Sequence, residues 1–312
     1  MKRTSIIIGI ISFLIFGFNL AVEASSPGKA GYNFLRIQVG SRPSAMAGAF
    51  ISMTGDIHSI YFNPAGLATI PGRLATATYL NHVLDFQSGF IAYTQALPKV
   101  GQAAIGINYM SYGDFAETDE NGREIGNFSA GSFALTSSLA RSINENLLAG
   151  ISAKFIYSAI DDYNSTAIAL DLGMIYKAPF MDDLQIGLGI FNLGTALTAY
   201  IDSKDPLPLN FVAGVSKKLA HLPLEYCVAL NKYIDDDFQL SAGGEFTITE
   251  GVHLRIGYNS LGRGLKIGAD GDQYAGISLG LGLKWNNIQF DYSLSSFGAI
   301  GYLNRATFSY AF

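Results

Sequence analysis

Acidic clusters are the first places in this chain where chemistry would be sought. The stretch Gly113-Asp114-Phe115-Ala116-Glu117-Thr118-Asp119-Glu120-Asn121-Gly122-Arg123-Glu124 gathers carboxylates as a calcium site would, yet it lacks the alternating spacing that wraps such an ion. It reads as a solvated loop. Asp235-Asp236-Asp237 and Asp270-Gly271-Asp272 read as turns without further metal ligands. His58, His82, His221 and His253 have no spacing that suggests zinc. Gly262-Arg263-Gly264 and Gly280-Leu281-Gly282 lack the strand-turn-helix setting of a dinucleotide fingerprint. The single cysteine, Cys227, lies in an apolar strand pattern and reads as packing, with no second thiol to pair with. With no G-x-S-x-G elbow, phosphate loop or paired catalytic carboxylates, the sequence offers an enzyme nothing to work with, and no cofactor, metal or catalytic residue is expected.

What remains is architecture. Residues 41–71, from Ser41 to Pro71, form the one long part of the chain after residue 24 that does not read as repeated strands. Within it Asn63, Pro64, Ala65 and Gly66 make a turn motif behind the aromatic pair Tyr61-Phe62. Pro64 fixes its own φ, lacks a donor and pushes Asn63 out of the helical region. Gly66 permits positive φ. Ala45 to Phe50 are small or apolar and suit a short helix or close-packed bend, and Arg42, Asp56 and His58 are the main charged or titratable groups. Such a segment suits enclosure, as a plug.

The elements around it alternate with period two. Ala275, Ile277, Leu279, Leu281, Leu283 and Trp285 oppose Gly276, Ser278, Gly280, Gly282 and Lys284; Ile288, Phe290, Tyr292 and Leu294 oppose Asn287, Gln289, Asp291 and Ser293. The same division runs through 238–249 and 252–259. A soluble sandwich alternates too, so the direction of the apolar face decides the fold. Strands of about ten residues match a tilted transmembrane strand, and the expected class is all-β: a transmembrane antiparallel barrel of about fourteen strands with an N-terminal plug in its lumen. Lys154, Asp171, Glu245, Arg255, Lys284, Asp291 and Arg305 then point inward. Short connections at 97–99, 142–145, 219–221, 249–250 and 286, with one longer exception at 178–183, alternate with long loops at 113–126, 195–206 and 261–272, the asymmetry of bacterial barrels.

The composition agrees. Only 14% of residues are charged against 49% hydrophobic, where ordinary soluble domains carry about 25% charge. After the first residues no unbroken apolar run reaches the ~18 that a membrane helix needs. A net charge of −5 leaves no basic surface for nucleic acid. Lys2 and Arg3 precede an apolar run from Ile6 to Leu20, which reads as a secretory signal peptide, residues 1–24, cut after Ala24; a membrane anchor is the alternative. Residues 25–72 then form the plug segment and 73–312 the barrel. Tyr310 and Phe312 close an amphipathic last strand, the kind of terminus that outer-membrane assembly machinery recognises.

The pattern Gly40-Ser41-Arg42-Pro43-Ser44-Ala45-Met46-Ala47-Gly48-Ala49-Phe50 followed by Ile60-Tyr61-Phe62-Asn63-Pro64-Ala65-Gly66-Leu67 resembles the N-terminal region of FadL-like outer-membrane barrels, and more closely that of the PorV/PorQ family of the type IX secretion system. Tyr112-Gly113-Asp114, Glu117 to Gly122, Gly126-Asn127-Phe128, Leu207-Pro208-Leu209 and Gly214 to Leu219 are similar to stretches of PorQ-type proteins. The resemblance implies a non-enzymatic accessory barrel in outer-membrane lipid that docks secretion or surface-attachment proteins. The alternative is a FadL-like transporter of hydrophobic small molecules, with the motif from Asn63 to Gly66 in a movable plug. An open diffusion porin fits poorly with so long a segment ahead of the first strand.

Overall fold

The computed structural model describes residues 30–82 and 86–312; the signal-peptide reading of residues 1–24 lies outside them. Among the described residues fourteen antiparallel strands close on themselves, each hydrogen-bonded to its sequence neighbours and β1 pairing with β14. They are β1 Arg73–Asn81, β2 Gln87–Leu97, β3 Gly101–Thr118, β4 Glu124–Asn144, β5 Leu147–Ile160, β6 Tyr163–Lys177, β7 Leu184–Ala196, β8 Asn210–Lys218, β9 Leu224–Tyr233, β10 Phe238–Thr249, β11 Val252–Asn259, β12 Ile277–Trp285, β13 Ile288–Ser296 and β14 Tyr302–Ala311. Closure leaves no open sheet edge, the condition for a sheet to cross hydrocarbon with every backbone group paired.

The apolar rows face outward. Leu279, Leu281, Leu283 and Trp285 of β12 are exposed, as are Phe290 and Tyr292 of β13 and Leu254, Ile256 and Tyr258 of β11. Their polar counterparts Ser278, Asp291, Ser293 and Arg255 are buried. A sandwich would bury the first set and expose the second, so the barrel, inverted relative to a soluble protein, is the arrangement that the alternation encodes. No helix of the described residues is long and apolar enough to cross a membrane.

The turns 145–146, 250–251 and 286–287 lie at one end, with the longer 178–183, and the long connections 197–209 and 260–276 lie at the other, with the two-residue turn 161–162. The stretch 113–126 departs from the expected loop. Gly113 to Thr118 continues β3 and pairs with Glu124 to Ala130 of β4, so all but 119–123 is hairpin. Phe115 stacks on Phe128 with ring centroids 5.3 Å apart, a cross-strand pair that favours pairing over a solvated loop. Since β2 reaches only Ser111 and β5 only Ala130, this hairpin stands clear of the wall. Strand β8 starts later than the sequence suggests, at Asn210, because Pro208 cannot donate to a ladder.

Ahead of β1 the chain makes short turns of helix: Asn33–Arg36, α1 Ser41–Ala45, α2 Ser59–Phe62 and Pro64–Thr69. Helix α1 packs on β11 to β14 and Pro64–Thr69 on β3 to β6, opposite sides of the cylinder. Phe34, Met46, Phe50, Ile51, Met53, Ile57, Ile60 and Leu67 are fully or almost fully buried there. At roughly 1.5–3 kcal/mol for each large side chain, this inner segment carries the dry core that the wall lacks.

Candidate functional site

The Asn63 motif shows how the inner segment is fixed. Pro64 ends α2 by denying it a donor, and Asn63 turns to extended backbone at φ −169° and ψ 104°. Its side chain accepts from the Ala65 N–H at 3.1 Å, which caps the following turn, and its amide donates to the Ile51 and Met174 carbonyls at 2.6 and 3.3 Å. Asn63 thus ties the inner segment to itself and to β6. Gly66 corrects the expectation of positive φ: it lies in the Pro64–Thr69 turn without it, and a Cβ there would sit 2.5 Å from the Ser59 hydroxyl and 2.7 Å from the Met53 carbonyl oxygen. Space, not backbone freedom, requires glycine at this position. On the wall, a Cβ at Gly173 would strike Asn63 Oδ1 and lie 2.9 Å from Pro64 Cδ. Gly173→Val is therefore expected to push the motif off β6 at about 1–3 kcal/mol, measured as faster trypsin cleavage after Arg36 in the folded, detergent-solubilised barrel.

Charges hold the other side. Arg42 of α1 grips Glu245 of β10 with both ends of its guanidinium, each at 2.8 Å, and reaches Asp56 at 3.0 Å. Asp56 accepts from the His58 backbone at 2.8 Å and lies 2.7 Å from His58 Nδ1. Beyond Glu245 the chain of charges continues to Arg255 at 2.5 Å and from it to Asp291 at 2.6 Å. Glu245 and Arg255 face each other in the β10–β11 register. Alternating signs and bidentate geometry compensate the desolvation of these buried groups. Burial alone would raise the Asp56 carboxyl, but His58 and Arg42 together hold it well below the usual carboxylate range. The series His58, Asp56, Arg42, Glu245, Arg255, Asp291 is a latch between inner segment and wall.

Lys154 and Asp171 form a second site. Lys154 Nζ lies 2.7 Å from Asp171 Oδ2 and donates to Asn192 Oδ1 at 2.8 Å. Asn192 sits at φ 59° beside the irregular register of β6 and β7, its N–H donating to Asp171 Oδ1 at 2.8 Å. The bulge aims the amide inward. Arg305 differs from the others: buried, it donates to the Gln38 carbonyl and the Ser295 hydroxyl, both at 3.2 Å, and meets no carboxylate within ion-pair distance among the described residues. Lys284 is exposed at the short-turn end of β12, where it lines the mouth of a cavity and makes no ion pair among the described residues. Tyr310 and Phe312 face outward at the same end with ring centroids 4.9 Å apart, and the Phe312 N–H donates to the Arg73 carbonyl at 3.1 Å. Among the described residues no three or more His, Cys, Asp or Glu side chains gather as a metal set.

The inner segment separates cavities. Toward the short-turn end lies one of about 200 Å³, lined by Arg42, Asp56, His58, Lys284 and Asp291. Toward the long-loop end lie two more. The larger, about 270 Å³, sits between Tyr61 and Phe62 of the inner segment and Phe191, Asn210, Asn231 and Gln239 of the wall. The other, about 250 Å³, is lined by Ile37, Leu261, Leu265, Phe297, Leu303 and Arg305. Arg36, Gln38, Asn259 and Leu261 border both.

No family model matches the chain, and no curated protein matches it. Solved structures do. The toluene transporter TodX of P. putida aligns over 88% of this chain and 98% of its own at a TM-score of 0.62 and 11% identity. The CymD monoaromatic hydrocarbon channel aligns over 90% and 99% at 0.60 and 13%. A Pseudomonas aeruginosa FadL homologue aligns over 87% and 97% at 0.54 and 11%. The fold is therefore that of the FadL-like outer-membrane barrels. The finer PorV/PorQ resemblance finds no counterpart among these matches.

Proposed function

We propose that the chain is a plugged channel of the bacterial outer membrane that passes small hydrophobic compounds. The neighbours named above support this reading better than a role in type IX secretion. The observation that carries it is the inner segment itself: it divides the lumen into cavities on its two sides, and the smaller long-loop cavity is mostly apolar. A compound that enters from the loop end meets Leu261, Leu265, Phe297 and Leu303 before it meets the latch. The outward apolar rows support a seat in outer-membrane lipid, and on this reading the short turns face the periplasm. In a host without its own channel of this kind, expression is expected to speed uptake of radiolabelled toluene or a similar hydrocarbon severalfold over a vector control. Equal rates across several hydrocarbons overturn the reading.

A docking role is the second reading, and one observation favours it. Tyr112-Gly113-Asp114 and Gly126-Asn127-Phe128, both similar to PorQ-type stretches, lie on the two strands of the hairpin that stands clear of the wall, Gly113 and Asp114 opposite Ala130 and Ser129, and Gly126, Asn127 and Phe128 opposite Glu117, Ala116 and Phe115. If the barrel docks secretion or surface-attachment proteins, deleting residues 114–127 abolishes their recovery with it from native outer membranes and leaves hydrocarbon uptake intact.

A further inference from the structure

The larger long-loop cavity has chemistry that a hydrocarbon does not use. Its wall presents amide side chains from successive strands: Asn210 on β8, Asn231 on β9 and Gln239 on β10, with Gln38 facing them from the inner segment. Other amides here are occupied. Asn192 is held by Lys154 and the Pro208 carbonyl, and Asn259 by the Ala47 carbonyl, Ser241 and the Leu261 N–H. These four keep hydrogen-bonding groups unused. Asn210 is 94% buried, being 6% exposed, and its Oδ1 has no partner. The side chains of Asn231 and Gln38 bond no described residue, and Gln239 commits only its amide nitrogen, to Asp236 at 3.0 Å. An amide group buried without a partner costs about 1–3 kcal/mol, which applies to Asn210; with the half-buried Gln38, Asn231 and Gln239 beside it, the cavity calls for an occupant that both donates and accepts.

The charged groups at the cavity are already engaged with one another. Arg36 lies 2.5 Å from Asp235 and 3.6 Å from Asp236, and Lys154 lies 2.7 Å from Asp171. An ionic ligand would find its counter-charge already taken, and a neutral one would not. Phe62 and Phe191 add apolar wall beside the amides. Each amide offers both donors and an acceptor, which matches a hydroxyl better than a carbonyl or an ammonium, since a hydroxyl also does both.

We infer that this cavity binds a neutral polyhydroxylated compound with an apolar face, such as a sugar ring carrying an aromatic or short alkyl group. The polar ring sits against Asn210, Asn231, Gln239 and Gln38, and the apolar part lies along Phe62 and Phe191. Binding at this site goes beyond hydrocarbon passage and does not depend on it, because equilibrium occupancy needs no movement of the inner segment.

The test uses the full barrel in phosphatidylcholine nanodiscs, free of glycoside detergents, titrated calorimetrically with phenyl β-glucoside, toluene and benzoate. Phenyl β-glucoside is expected to bind saturably. Asn210→Leu and Asn231→Leu are each expected to weaken it several-fold, and together on the order of tenfold or more, with toluene unchanged. Retained heat-modifiable mobility on gels shows that each variant is folded. Asn231 is only half-buried, so its variant reports even if Asn210→Leu misfolds. No glucoside binding, binding that ignores both substitutions, or selective binding of benzoate each overturns the inference; the last would move the ligand to Arg305. Loss of hydrocarbon uptake with glucoside binding intact counts against the channel alone.

Discussion

Oxidation of a Ser52→Cys variant is expected to stop passage through the barrel, and reduction to restore it. Ser52 belongs to the inner segment and Cys227 to β9, and the Ser52 hydroxyl lies 3.4 Å from the Cys227 sulfur. Both residues are fully buried. One substitution therefore sets two thiols almost at bonding distance, and small side-chain rotation covers the rest of the way to an S–S bond of about 2.05 Å. Cys227 is the only cysteine, so no other pairing competes within the chain, and the periplasm favours oxidation. The tether spans 175 residues of sequence, a loop long enough that a closed bridge is worth about 5 kcal/mol on chain entropy alone. Hydrocarbon uptake is expected to fall to the vector background in the oxidised variant and to recover with dithiothreitol, while Ser52→Ala behaves as the parent. Full uptake with the bridge verified by mass spectrometry would show that compounds pass the inner segment without its moving, and the plug reading would fail.

Why the wall could be read from sequence and the latch only in part follows from the physics of each. Period-two alternation is a local property: Leu279, Leu281 and Leu283 declare their face without reference to any partner strand. What local pattern lacks is the sign of that face, which here rested on strand length, the turn asymmetry and the two ends of the chain. Glu245, Arg255 and Asp291 are inward by parity, and Arg42, Asp56 and His58 stand out as the charges of the inner segment. Their meeting is a matter of barrel closure, since 203 residues separate Arg42 from Glu245, and no spacing rule reaches that far. Asn192 was missed because its inward aim comes from a bulge, which breaks the alternation that would identify it. The amide cavity was missed for the same reason as the latch: Asn210, Asn231 and Gln239 look like unrelated polar residues until adjacent strands bring them side by side. Lys284 shows the limit of parity. It shares the face of Gly282, but at the strand's end that face opens to solvent.

Arg42→Leu is expected to release the inner segment from β10 more than any other single change to the latch. Among the described residues Arg42 is the one cation that touches both Asp56 on the segment and Glu245 on the wall. Glu245 keeps Arg255 when Arg42 is lost, whereas Asp56 is left with His58 alone. Removing one partner from a buried pair costs about 3–5 kcal/mol, because the remaining charge stays desolvated. Pairing Arg42→Leu with Asp56→Asn should recover part of that cost, and the non-additivity measures the coupling. The readouts are proteinase K cleavage within residues 30–71 of the folded barrel, expected to accelerate on the order of a hundredfold, and conductance in planar bilayers, expected to rise from a closed baseline. Acid gives a second signature. Because the docked Asp56 carboxyl titrates below its released value of about 3.9, its contribution is complete above that value and is lost only as pH falls through the lower, docked one. The parent barrel should therefore stay protected between pH 7 and about pH 4, and Asp56→Asn should show a weaker protection with no loss attributable to this group on further acidification. Protection of the parent that already fades near pH 6 would mean that a group other than Asp56 governs the latch. Unchanged protease sensitivity in Arg42→Leu would assign the hold to the apolar contacts around the Asn63 motif instead.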